Sequence, residues 1–161
     1  SNVRNENKDF YELVRTRHVP EYDVLVTNPP YSGDHLERCV RWCAASGKPW
    51  CLLLPNWVAG KPWYRELLRG DVALRSVAPF YLGPAEGAYP FWIPAGVPRP
   101  PHVGADGLTT PFRTCWYCHV PGPGKAEHLL KHLEAEQRRG GCRYVPAQDG
   151  DGFACTGASA R

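Results

Sequence analysis

The stretch Tyr22-Asp23-Val24-Leu25-Val26-Thr27-Asn28-Pro29-Pro30-Tyr31 decides how this chain is read. Residues 22–27 form a short apolar, β-branched run, the pattern of a strand buried on both faces. The run stops at Asn28, and the two prolines that follow cannot donate to a strand ladder. In an open α/β sheet, ligands bind beyond the carboxyl ends of the strands. Asn28 falls where such a fold puts its site.

Downstream, Asp34 with Glu37 predicts a capping pair. In the helix that follows, Leu36, Cys39, Val40, Cys43 and Ala44 recur as one apolar stripe, and Ser46-Gly47 ends it. Trp50–Leu54 is a second continuous apolar strand, closed by Pro55. Pro62 predicts the first turn of a helix from Lys61 to Arg69, stopped by Gly70. Leu74 to Leu82 reads as a strand, and a long loop of proline, glycine and aromatics then runs to about Pro111. Phe112 to Val120 reads as one more strand. Pro121-Gly122-Pro123-Gly124 precedes a helix with Ala126, Leu129, Leu130 and Leu133 on one face. Upstream, residues 9–18 read as a strand end followed by a helical or looped segment. The order is that of an α/β protein. Tyr22–Thr27 and Trp50–Leu54 are expected as adjacent, parallel, central strands. Phe112–Val120 is expected antiparallel to them and paired with Leu74–Leu82.

Bulk properties set limits. The chain has 161 residues, 43% hydrophobic and 22% charged, which is the balance of a globular domain. No apolar run approaches the roughly 18 residues of a membrane-spanning helix, and Arg4, Glu6 and Lys8 do not make a signal peptide. The net charge of +3 is a weak pointer to an anionic partner. The 7 cysteines are an odd number. Cys39 and Cys43 lie on an apolar helix face and Cys51 in a buried strand, so they read as reduced core residues and imply an intracellular setting. Methionine is absent, which implies a processed chain or a piece of a longer one. Residues 147–161 form a small polar tail.

Asn-Pro-Pro-Tyr has a chemical logic. An exocyclic amine on a base, or a side-chain amide, is a poor nucleophile because its lone pair is delocalised. To attack an activated methyl it must be held with that lone pair aimed and its N–H groups engaged by acceptors. The Asn28 side-chain oxygen is one acceptor and the Pro29 carbonyl is another. Pro30 fixes φ and stiffens the turn, so both are preorganised. The Tyr31 ring offers a flat face to a planar group.

These residues resemble the class I S-adenosylmethionine-dependent amino-methyltransferases that carry an Asn-Pro-Pro-Tyr motif, over roughly residues 9–120. That group includes N6-adenine methyltransferases, guanine-N2 methyltransferases of RNA and glutamine-N5 methyltransferases of proteins. The resemblance implies a Rossmann-like sheet, here its C-terminal half, mostly parallel with a final antiparallel strand. Residues 1–146 would form a partial catalytic domain. Asn28, Pro29, Pro30 and Tyr31 would be the catalytic tetrapeptide, and S-adenosylmethionine the cofactor. Asp9 and Phe10 are similar to the family's Asp-Phe pair at the end of the third strand, where the acid accepts from the cofactor adenine. They join Asn28 as cofactor-binding residues. Trp50–Val58 looks like the fifth strand and its trailing loop, with Trp57 placed to touch substrate. Leu74–Val120 looks like the sixth strand, a target-facing loop and an antiparallel seventh strand. Tyr89-Pro90-Phe91-Trp92 in that loop would supply rings to pack on a flipped base, Phe91 first and Trp92 beside it. A nucleic acid, DNA or RNA, is the implied substrate. The family's glycine-rich first loop would lie upstream of Asp9 and is not in this chain. The missing N-terminal half, or another subunit, is therefore the expected partner, and the isolated chain is expected to be catalytically silent.

Other patterns carry less. Cys115-Trp116-Tyr117-Cys118-His119 matches a haem-attachment motif in form, but its setting is strand-like. Cys115, Cys118, His128 and His132 mimic half a zinc finger with too short a gap. The basic rows Lys61, Arg65, Arg69 and Arg138, Arg139, Arg143 could touch phosphates, but solvated helix surfaces are the commoner explanation. A single ring stacked on a base contributes about 1–3 kcal/mol. Phe91→Ala is accordingly expected to weaken substrate affinity while leaving cofactor affinity unchanged, as read by titration of each ligand.

Overall fold

In the computed structural model, which describes residues 8–83, 95–96, 98, 113–140 and 143–146, the chain enters on a capped helix. Asp9 accepts from the amides of Tyr11 and Glu12 at 2.8 and 3.2 Å and starts α1, Phe10–Thr16. That leaves two of the orphan donors of the first turn satisfied. Strand β1 is Leu25–Thr27, and α2 is His35–Ser46. The latter buries Leu36, Cys39, Val40, Cys43 and Ala44, the stripe that periodicity predicts. Gly47 closes it at φ 65, a left-handed position that favours glycine. Asp34 does occupy the N-cap position, but its side chain makes no capping bond. The expected capping pair gives way to two ion pairs along the helix, Asp34 with Arg38 and Glu37 with Arg41.

Strand β2, Trp50–Pro55, runs straight into a 3-10 turn, Asn56–Gly60, and then α3, Pro62–Gly70, with Pro62 at its first turn. The expected strand from Leu74 to Leu82 is half wrong. Asp71 accepts from the Leu74 amide at 2.9 Å and caps a short helix, α4, Val72–Ser76, which buries Leu74. A local cap overrides the apolar run here, and the strand proper, β3, begins only after Pro79, at Phe80–Gly83. Strand β4 is Thr114–His119, within the expected Phe112–Val120, and α5 is Pro123–Arg138. Ala126 is buried on α5, with Leu129, Leu130 and Leu133 half-buried. A strand the sequence reading does not anticipate, β5, spans Arg143–Pro146.

The five strands form one sheet in the order β1-β2-β4-β3-β5. β1 and β2 are adjacent and parallel, as expected, with Thr27 opposite Leu52. β4 is antiparallel to β2 over the whole of its length and antiparallel to β3, again as expected. Because β4 returns between them, β1, β2 and β3 all point the same way, yet three of the four neighbouring pairs are antiparallel. The expectation of a mostly parallel sheet is corrected on that point. So is the central place given to Tyr22–Thr27, since β1 is an edge strand among the described residues. Val24 and Val26 are 50% and 61% exposed, so only one face of the run is covered. The ladder is short because it starts late: the Tyr22 carbonyl accepts from Lys48 Nζ at 2.6 Å, not from a strand. The result is a mixed α/β fold, and no helix among the described residues is long and apolar enough to cross a membrane.

Tyr117 is the hub of the core. It is fully buried, and its ring meets Tyr81 and Tyr64 edge-to-face at 4.8 and 5.6 Å. Its hydroxyl lies 3.0 Å from the Pro55 carbonyl and 3.2 Å from that of Asn56, and it accepts from the Ala59 amide at 3.0 Å. One side chain of β4 thus ties down the turn at the end of β2. Tyr117→Phe keeps the ring contacts but strands buried backbone groups, so a loss of about 1–3 kcal/mol is expected. Leu52→Ala, which hollows the centre of β2, is expected to cost about 2–5 kcal/mol. Denaturant unfolding of both variants reads the two effects.

Candidate functional site

The parallel pair makes a step. β1 ends at Thr27, opposite Leu52, while β2 continues to Pro55. At about 3.3 Å per residue, β2 overhangs its neighbour by about 10 Å. The chain leaving β1 crosses this overhang. Pro29 is buried, Asn28 and Pro30 are exposed, and the Tyr31 hydroxyl donates to the Leu53 carbonyl of β2 at 3.0 Å. The two prolines and that one hydrogen bond hold the tetrapeptide across the end of the sheet.

Beside it lies a cleft of about 160 Å³ lined by Phe10, Tyr11, Leu25, Thr27, Asn28, Pro29, Pro30 and Cys39. The structure brings Phe10 from α1 to the same cleft as Asn28 and both prolines. α1 is held there by aromatic contacts. Phe10 packs edge-on to Trp42 at 5.0 Å, and the Tyr11 hydroxyl donates to the His35 carbonyl at 2.8 Å beneath the Arg38 guanidinium. Cys39 reaches the cleft from α2 and shares a thiol hydrogen bond with Cys43, which lowers the pKa of the first and raises that of the second. The Asn28 side chain has no hydrogen-bond partner among the described residues and is free to meet a ligand.

Three expected participants stand apart from the cleft lining. Asp9 spends Oδ1 on the α1 cap. The Tyr31 ring packs against the core, with its hydroxyl on β2. Trp57 is 41% exposed in the 3-10 turn after β2, with Lys61 Nζ 5.0 Å from its ring centroid. It shares the sheet end with Asn28, because both follow parallel strands. Phe91 and Trp92 lie outside the described residues. The segment that carries them departs from Gly83 of β3 and returns at Arg113, whose carbonyl accepts from Asn56 at 2.9 Å, so both its ends join this same end of the sheet. Sequence reasoning passed over Tyr11 and Cys39. The helix stripe had already marked Cys39 as inward-facing, and Tyr11 follows Phe10 directly, so both signals were present.

The set-aside metal readings fail on geometry. Side chains alternate along a strand, so Cys115 and Cys118 face opposite sides of β4. No group of side chains suited to a metal ion exists among the described residues, and none of Cys39, Cys43, Cys51, Cys115 and Cys118 is in a disulfide.

Comparison of the chain with protein-family models, curated proteins and solved structures returned no match.

Burial raises the pKa of Tyr31 to about 12, with Cys115 adding to it, and burial likewise raises Tyr11 to about 12, against the opposing pull of Arg38. Both phenols stay protonated in the fold at a pH where an unfolded tyrosine, with its ordinary value of 10.0, ionises. Their contribution is full below pH 10.0 and is lost as pH rises toward about 12. Unfolding free energy is therefore expected to fall across that window. Tyr31→Phe should make the fall shallower, with phenolate absorbance reporting one late-titrating group fewer.

Proposed function

We propose that this chain carries the amine-orienting part of an S-adenosylmethionine-dependent methyltransferase acting on an exocyclic amino group, with adenine N6 of a nucleic acid as the target. The observation that carries the reading is Asn28 itself. It is exposed, without a hydrogen-bond partner among the described residues, at the carboxyl end of a strand parallel to its neighbour, and it lines a cleft with aromatic walls. A backbone locked by Pro29 and Pro30, and tethered through Tyr31 to β2, is what preorganised acceptors need. The co-directional β1, β2 and β3, with β4 inserted antiparallel between β2 and β3, are also consistent with it.

The cleft suits a flat heterocycle. Its lining residues Phe10, Tyr11, Leu25 and the two prolines are apolar or aromatic, and none of the lining residues bears a charge. They fit the adenine end of the cofactor and not its charged amino-acid end. The bound cofactor would supply the activated methyl group. Phe10 and Tyr11 would wall one side of the ring, while the Asn28 oxygen and the Pro29 carbonyl accept from the two N–H bonds of the target amine. A base is favoured over a peptide amide as target by the exposed ring of Trp57 at the same end of the sheet.

A second reading has one observation behind it. Asp9, the acid expected to grip the cofactor adenine, uses Oδ1 to cap its own helix. That suits a methyltransferase-like binding module that does no chemistry. The test is methyl transfer from labelled S-adenosylmethionine to an adenine-containing oligonucleotide by the intact parent protein, with cofactor binding followed by calorimetry. Asn28→Ala is expected to lower transfer by about 100-fold or more. Equal transfer by the variant overturns the assignment of Asn28. Neither binding nor transfer by either protein leaves the binding module as the surviving reading.

A further inference from the structure

The long helices carry both paired and unpaired cations: α2 pairs Arg38 and Arg41 and α5 pairs Lys131, whereas Lys125 and Arg138 of α5, like the cations of α3, have no carboxylate within 4.0 Å among the described residues. On α2, Arg38 and Arg41 face Asp34 and Glu37 at 3.6 and 2.8 Å, and on α5, Lys131 faces Glu127 at 2.8 Å. Each of these charges is neutralised one turn away on its own helix. Lys61, Arg65 and Arg69 also repeat every four residues, yet none has a carboxylate within 4.0 Å among the described residues, although Glu66 lies on the same helix. Arg65 is half-buried, and its Nε–H is buried with no hydrogen-bond partner.

The row continues into an aromatic. Trp57 stands four residues before Lys61, is 41% exposed, and has the Lys61 ammonium 5.0 Å from its ring centroid. Trp57 is the one aromatic ring among the exposed large hydrophobics of the described residues, and it stands beside the charge row. Its position is built, not incidental. The Tyr117 hydroxyl fixes the 3-10 turn through Pro55, Asn56 and Ala59, on both sides of Trp57. Lys61 to Arg69 rises about 12 Å along α3, starting from the turn that follows β2.

We infer that Trp57, Lys61, Arg65 and Arg69 form a track for single-stranded nucleic acid, with Trp57 stacking on a base and the three cations meeting successive phosphates. Backbone charge supplies most of such affinity and a stacked ring adds to it without regard to sequence. The choice of a nucleic acid over another polyanion rests on the proposed methylation of a base, while the track itself stands on different residues. It gives the amine-orienting end of the sheet a means of presenting a strand.

The test uses the chain with no cofactor present, so its outcome is independent of the Asn28 experiment. A fluorescent oligothymidylate of about 12 nucleotides is titrated across a range of salt, with a sulfated polysaccharide as a polyanion without bases. Trp57→Ala is expected to weaken oligonucleotide binding by about 5- to 150-fold, leaving the salt slope and the polysaccharide affinity unchanged. Trp57→Phe should restore most of the loss. Lys61→Gln with Arg69→Gln is expected to flatten the salt slope by about 1.4, at about 0.7 per phosphate contact. Lys125→Gln with Arg138→Gln on α5 removes the same charge and should leave the slope as it was. The inference is overturned by any of three results: no binding by the wild-type chain at low salt, equal damage from the α5 variant, or indifference to Trp57→Ala.

Discussion

Strand β2 is paired on both sides, and the rest of the molecule is organised by that fact. Its parallel contact with β1 leaves β2 projecting past its neighbour, and the projection creates the step that the tetrapeptide crosses. Its antiparallel contact with β4 runs the full length of the strand and brings Tyr117 beneath the turn that follows. Leu52 and Leu54 point into the interior and are wholly buried. If β2 slipped by one residue, its inward set would turn outward, and both the Tyr31 tether and the Tyr117 brace would lose their carbonyl acceptors.

Much of this was legible where periodicity and punctuation agreed. Leu36, Cys39, Val40 and Cys43 announce one buried helix face, Gly47 its end, Pro62 the start of α3, and Trp50–Leu54 a strand with both faces covered. The misreadings came from competition between signals. Leu74 looked like part of a strand because its neighbours are apolar, yet Asp71 offers a side-chain acceptor that makes a turn of helix the better local choice. Val24 and Val26 looked doubly buried because β-branched residues in a short run suit a central strand. An exposed edge strand has the same composition, and only long-range pairing tells the two apart. β5 was missed for a similar reason, since residues 143–146 read as the end of a basic cluster until β3 offers them a ladder.

The site was partly legible too. The sequence sets Asn28 at a strand end, and the structure agrees. It does not reveal that Tyr31 spends its hydroxyl on Leu53, because such a bond depends on how far β2 overhangs. Nor does it reveal which of the many aromatics are structural. Tyr64, Tyr81 and Tyr117 are buried against one another, whereas Trp57, in the turn they support, is exposed. A count of rings cannot separate these roles, since the same indole or phenol fills a core or greets a partner according to the strand end it falls on.

The prolines after β1 have a second consequence, for solubility. An exposed sheet edge is a template for indiscriminate pairing with other chains, and among the described residues β1 is such an edge. The edge is self-limiting. Pro20 stands shortly before it and Pro29 and Pro30 stand shortly after it, and none of these can offer an N–H to an incoming strand. What remains is a ladder of three residues, a small template for an incoming strand. The rigid turn that gives Asn28 its geometry is at the same time the gatekeeper that keeps this margin of the sheet from growing.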